Sequence, residues 1–199
     1  MKNTQKLTNK NVLITAGAQG IGASITRHFI DSGANVAIHY YSSEATANEL
    51  MEYALEKGQK AVIIQGDLTK EAAANTLVEK TIAAFGGLDI LINNTGSLVA
   101  RKMLNEITTE FWQQVMDINL TSMLFVTSAA SPYLIKNENS SIVNLSSLAG
   151  RKGGHPGSLA YATSKGAILT FTRALSAELG PQGVGVNAVA PWLILGTSF

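Results

Sequence analysis

Two tyrosine–lysine pairs share one spacing. The stretch YATSK puts Tyr161 four residues before Lys165, and YALEK puts Tyr53 four residues before Lys57. At helical pitch, each pair lies on one face. A phenol beside an ammonium can move protons, because the cation favours phenolate and lowers a pKa that is otherwise near ~10. Context separates the two pairs. Tyr53 and Lys57 lie in EATANELMEYALEKG, among other charges and with no serine-bearing strand end before them, and read as helix surface. Tyr161 and Lys165 follow IVNLSS, where Ser146 and Ser147 close an apolar run. The glycine-rich stretch LAGRKGGHPGSLA then returns the chain to the same edge. A serine hydroxyl there can hold a substrate oxygen while the tyrosine exchanges a proton with it.

A second chemistry sits near the start, in TAGAQGIGASITRHF. Gly17, Gly20 and Gly22 fall between an apolar run and a helical pattern. Small residues there let the backbone approach a pyrophosphate, and the helix N-terminus supplies N–H donors and a positive dipole end. NAD binding usually places an acid about twenty residues further on, to hold the ribose 2′-hydroxyl. HYYSSE instead offers Tyr40, Tyr41, Ser42 and Ser43. No carboxylate stands there to repel a 2′-phosphate, so NADP(H) is favoured over NAD(H). No Arg or Lys is present there either, and Gln19 occupies the glycine turn.

The elements that must position these groups follow from two alternating periods. Apolar, β-branched runs at 12–15, 36–39, 61–65, 90–93, 142–145 and 184–189 read as strands with both faces buried. Helical patterns lie between them at 21–32, 44–57, 71–85, 109–136 and 161–179, and several close on glycine. Strand–helix alternation with right-handed crossovers implies an α/β fold, a doubly wound parallel sheet of Rossmann type in three layers. Ligands of such sheets bind beyond the carboxyl ends of the strands.

Composition narrows the field. The chain has 199 residues, 46% of them hydrophobic and 15% charged, which suits one domain over 1–199 with a sizeable core. A net charge of +1 gives no electrostatic case for nucleic acid or an anionic membrane. The absence of cysteine excludes disulfides, thiolate catalysis and cysteine-based metal sites. His28, His39 and His155 are isolated and read as surface or packing residues, so no metal is expected. No apolar run is long enough to span a bilayer, and VLIT is too short for a signal-peptide core. The expectation is a soluble cytoplasmic protein.

Taken in order, the motifs resemble those of the compact branch of the short-chain dehydrogenase/reductase family. TAGAQGIG resembles its glycine turn, with Ala16 where the first glycine usually stands. GDLT resembles the segment whose acid, here Asp67, contacts adenine. NNTG at 93–96 resembles its fourth-strand motif, with Thr95 in place of alanine. MDINL carries Asn119, and IVNLSS with YATSK resembles the family's Ser–Tyr–Lys set. The resemblance implies Ser147 as catalytic serine, Tyr161 as proton donor, Lys165 as its partner and holder of the nicotinamide ribose, and Asn119 as anchor of a water-linked proton relay. It also implies cofactor contacts at Gly17, Gln19, Gly20, Ile21, Gly22, Tyr41, Ser42, Ser43, Asp67, Leu68, Asn93 and Gly96, besides Tyr161 and Lys165. The expected reaction is hydride transfer between NAD(P)H and a small-molecule carbonyl or secondary alcohol. Family habit and the broad apolar surface of FWQQVMDINLTSMLFVTSAA suggest a homodimer or homotetramer.

The chain departs from the pattern in two places. Ser147 and Tyr161 are fourteen apart, one more than usual, and the loop between them is expected to absorb the difference. After VNAVAP, the sequence runs WLILGTSF, with Trp192 in place of a glycine and Thr197 one place late. The expectation is a sheet lacking the family's last strand and part of the substrate pocket. That raises an alternative, a catalytically inactive nucleotide-binding or assembly subunit.

Overall fold

A computed structural model describes residues 7–137 and 139–192. Six strands form one parallel sheet: β1 (Asn11–Ile14), β2 (Asn35–Tyr40), β3 (Ala61–Gln65), β4 (Ile90–Asn93), β5 (Ser140–Leu145) and β6 (Val184–Val189). Their order is β3-β2-β1-β4-β5-β6. Seven α-helices accompany them among the described residues: α1 (Gly20–Asp31), α2 (Glu44–Glu56), α3 (Glu71–Phe85), α4 (Thr109–Met116), α5 (Ser122–Leu134), α6 (Leu148–Lys152) and α7 (Leu159–Leu179).

The sheet is covered on both faces because its strands carry apolar residues on both parities. Val12 and Ile14 of β1 join Val36 and Ile38 of β2 against Ile30 of α1 and Leu50 and Ala54 of α2. Leu13, between them, points the other way and joins Leu91 and Ile142 against Leu77 of α3 and Val126 and Leu134 of α5. β1 pairs with β2 on one side and β4 on the other, so the winding reverses at β1. A cleft opens beyond the carboxyl ends of these strands, as the topology requires.

The helix expected over 109–136 is two helices joined by a π turn at Asp117–Thr121. One residue too many per turn re-aims the side chains there, and such turns are common at functional sites. Nothing in the apolar pattern marks the break. The stretch expected as loop after Ser147 begins instead with α6, where Ser147 caps the helix by accepting from the N–H of Ala149 at 3.1 Å. Gly153 ends α6 at φ 89°.

β6 pairs with β5 and with no other strand among the described residues. Trp192 is exposed, and the carbonyl of Pro191 accepts from the N–H of Leu148. Residues 193–199, which hold Thr197 and the apolar tail, lie outside the described part. No helix among the described residues is long and apolar enough to cross a membrane. Most apolar side chains of α5 face the sheet or α3, and Leu124 and Ile135 stay exposed. Core packing therefore accounts for most of that helix's apolar content.

Candidate active site

The first turn is built around Ala16, which holds φ 47° where the family's glycine would stand. A Cβ in the left-handed region costs roughly 1–2 kcal/mol. Ala16→Gly is therefore expected to stabilise the protein by about 0.5 kcal/mol after the entropy glycine adds to the unfolded chain, an increase of a degree or two in thermal midpoint. A lower midpoint would show that the alanine is unstrained.

Gly22 is required for a different reason. A Cβ there would lie 2.0 Å from the Ala16 carbonyl oxygen and 2.6 Å from Asn94 Nδ2, so α1 packs directly on the turn. Gly17 is nearly as tight, with a would-be Cβ 3.0 Å from the carbonyl oxygen of Ile14. These glycines shape the turn by packing as well as by allowing close approach of a ligand.

Behind the turn, Thr15 and Asn94 lock β1 to β4. Thr15 Oγ1 accepts from the N–H groups of Asn94 and Thr95, and Asn94 Nδ2 donates to the carbonyls of Thr15 and Ala16, both at 3.1 Å. Asn93 faces the other way. Its Nδ2 donates to Thr127 Oγ1 and Asn144 Oδ1, each at 2.9 Å, in a buried polar chain that continues to Thr172 of α7. Asn93 thus sits in the core between β4, β5 and α5, while its neighbour Asn94 holds the turn. Alternation along a strand was the available signal for telling these two apart.

The cleft, about 670 Å³, is lined on one wall by Gln19, Tyr41, Ser43, Asp67 and Leu68, residues expected at a nucleotide site. Ser43 Oγ donates to Gln19 Oε1 at 3.0 Å, and Asp67 accepts from Thr69. Gly17, Gly20, Ile21, Gly22 and Ser42 stand outside this lining, on or beside the same turns, and so do Asn93, Asn119, Ser147, Tyr161 and Lys165. The sequence reading missed His39, Thr95 and, across the cleft, Gln113, Gln114 and Ile118. Thr95 Oγ1 is buried without a hydrogen-bond partner.

The proton-transfer candidates converge beyond β4 and β5. Lys165 is buried, and its Nζ donates to the carbonyl of Leu145 at 2.8 Å. That Nζ stands 5.9 Å from the centroid of the Tyr161 ring. The Ser147 side chain lies close enough to the Tyr161 hydroxyl to favour its ionised form. α6 lies against the backbone of α7 at Gly150 and Gly166, where a Cβ on Gly150 would come within 2.5 Å of Lys165. The short helix therefore sets Ser147 relative to Tyr161, and the extra residue in the segment leaves that contact intact.

Asn119 is fully buried in the π turn. It accepts from the N–H of Ser97 at 2.9 Å and donates to the carbonyls of Ser97 at 2.8 Å and Val115 at 2.9 Å. A Cβ on Gly96 would meet Lys165 Nζ at 2.7 Å and Asn119 Oδ1 at 2.8 Å, so Gly96 fits between them. By contrast, Tyr53 donates to Asp31 at 2.6 Å, with Arg27 and Lys57 against its ring, in a surface cluster far from this convergence.

The electrostatics differ from the sequence expectation in one respect. Burial raises the Tyr161 pKa above its usual value, and the Ser147 hydrogen bond offsets this only in part. The same burial lowers Lys165 to about 8. Lys165 was expected to lower Tyr161, but burial is the largest influence on it and Lys165 is not among the groups that move it. Tyr161 is therefore a phenol at neutral pH. No grouping of His, Asp and Glu with metal-site geometry occurs among the described residues.

A model of the short chain dehydrogenase family matches residues 10–199. An uncharacterised oxidoreductase of Bacillus subtilis is 38% identical over 190 residues, which are 96% of this chain and 66% of the relative. The chain thus spans about two thirds of that relative's length. A short chain dehydrogenase from Burkholderia cenocepacia, solved with NADP, superposes with a TM-score of 0.89 at 33% identity, over 94% of this chain and 75% of its own. An NADH-dependent reductase solved with NAD gives 0.90 at 31%, over 96% and 82%.

Proposed function

The chain belongs to the short-chain dehydrogenase family, and from that premise we propose an oxidoreductase that moves hydride between NADP(H) and a carbonyl or secondary alcohol, with Tyr161 as proton donor. The observation that carries this reading is the convergence of Ser147, Tyr161 and a buried Lys165 beside Gly96, which itself lines a nucleotide-sized cleft.

The residues present fit a dinucleotide. The turn at Gly17, Gln19, Gly20, Ile21 and Gly22 would take the pyrophosphate at the start of α1. Tyr41, Ser42 and Ser43 would face the adenosine ribose, and Asp67 and Leu68 the adenine. The buried, unpartnered Thr95 hydroxyl and the narrow seat at Gly96 support a ligand in this cleft. When bound, the nicotinamide supplies or takes the hydride.

The chain's own groups handle the proton. Tyr161, kept as a phenol by burial, is suited to give its proton to a carbonyl oxygen. Ser147 would hold that oxygen and steady its developing charge. Lys165 carries three N–H donors and gives one to Leu145, so the others can reach a ribose hydroxyl. Asn119 commits its amide to Ser97 and Val115. In this reading it positions the 96–97 segment against Lys165 and does not pass protons through its side chain.

NADP(H) is preferred over NAD(H) because no carboxylate stands at Tyr41–Ser43 to repel a 2′-phosphate. Consumption of NADPH and NADH over a panel of carbonyl substrates tests the reading. The expected result is turnover with a higher kcat/KM for NADPH. Nucleotide binding with no turnover on any substrate would sink it in favour of a binding or assembly role.

A further inference from the structure

His39 joins every segment of the nucleotide wall. It lies on β2 and is almost fully buried, yet it borders the cleft. The N–H of Ala16 donates to its Nδ1 at 2.9 Å. Its Nε2 lies 3.0 Å from the carbonyl oxygen of Gly66, just before Asp67. Its own carbonyl accepts from the N–H of Gly17 at 2.8 Å. One residue therefore ties the first turn, β2 and the end of β3 together.

The partners fix the tautomer. An amide N–H can only donate, so Nδ1 must be bare. A carbonyl can only accept, so Nε2 must carry the proton. A proton on Nδ1 would set two donors against each other at Ala16, the one non-glycine residue of this turn at positive φ. Ala16 N–H would then lose its acceptor in a buried place, and the turn would have to shift.

We propose that His39 is a positioning residue for the nucleotide, whose neutral Nε2–H form holds Ala16 in place, so that nucleotide affinity falls when His39 takes up a proton. The inference rests on the dinucleotide reading of the cleft.

Burial lowers the pKa of His39, and the Gly66 carbonyl partly restores it. The neutral form is thus present at neutral pH, and affinity is lost as pH falls through the lowered value. The other titratable groups of the cleft are Tyr40 and Tyr41 on β2, Asp67 after β3, and Glu110 and Asp117 across the cleft; the turn after β1 contributes none. Burial and the Gly66 carbonyl, not a neighbouring charge, move His39 from its usual value.

The test measures NADH and NADPH affinity by fluorescence titration from pH 5 to 8. NADH lacks the 2′-phosphate, whose own ionisation falls in this range. Wild type is expected to lose up to about ten-fold in affinity as the ring takes up its proton at the acid end of the range, the size of one buried hydrogen bond. His39→Asn puts an oxygen acceptor near the Nδ1 position and cannot protonate, so it should bind within about three-fold of wild type at pH 7.5 and stay flat down to pH 5. His39→Gln reaches towards Gly66 but leaves Ala16 without an acceptor, and should bind about ten-fold more weakly at every pH. Long-range proton–nitrogen NMR of the wild-type ring should show the Nε2–H tautomer, and needs no variant to fold. An equal acid loss in His39→Asn, or an Nδ1–H ring, overturns the proposal while leaving the dinucleotide reading standing. Absence of nucleotide binding by wild type at every pH overturns both.

Discussion

Tyr161→Phe is expected to lower kcat for carbonyl reduction by about 10³-fold and to change NADPH affinity by less than about two-fold. The asymmetry follows from position. The phenol stands outside the lining of the nucleotide cleft, with the Ser147 side chain acting on its hydroxyl. Removing the oxygen deletes the proposed proton donor, while the ring keeps its place on α7. The raised pKa makes the variant informative, because the neutral phenol is the form that donates and is fully populated at neutral pH. Tyr53→Phe is the matched control. It has the same four-residue relation to a lysine, but its hydroxyl binds Asp31 on the surface, so turnover should be unchanged. Steady-state kinetics together with a separate nucleotide titration read both effects. Equal turnover in Tyr161→Phe and wild type would remove Tyr161 from the mechanism.

The sheet and the glycine turn were legible because they rest on local signals. Apolar runs marked all six strands, and glycines between β1 and α1 marked the turn. What stayed hidden depends on contacts between distant residues. The π turn at Asp117–Thr121 sits inside an unbroken apolar pattern, so no periodicity shows it, yet it seats Asn119 against Ser97. α6 is only five residues long and holds a glycine, which reads as loop until Gly150 meets the backbone of α7. His39 was legible as a packing residue, but its two ring bonds join segments 23 and 27 positions away. The weight of burial on Tyr161 was hidden for the same reason. Spacing showed the lysine beside it, and burial could be weighed only once the fold was known.

Lys165→Met is expected to separate function from stability through pH. In wild type, burial moves the Lys165 ammonium from its ordinary 10.5 down to about 8. At 1.36 kcal/mol for each pH unit, holding that charge inside the fold costs about 3 kcal/mol at neutral pH. Between about pH 8 and 10.5, the unfolded chain binds a proton that the folded chain has released, so this contribution raises wild-type stability as pH rises. Methionine has nearly the same length and does not titrate. Urea unfolding of the two proteins at pH 7 and pH 10.5 should therefore show their stability difference moving by about 3 kcal/mol in favour of wild type at the higher pH. The loss of the Leu145 hydrogen bond adds an offset, and that offset does not depend on pH. Activity should behave differently. At pH 7, where the ammonium is present, kcat is expected to fall by about 10²-fold or more, and nucleotide affinity should fall with it. A stability difference independent of pH would mean that Lys165 does not titrate as a buried amine. The fold keeps a lysine where methionine would be easier to bury, and a cation held buried against desolvation in this way marks a candidate functional group.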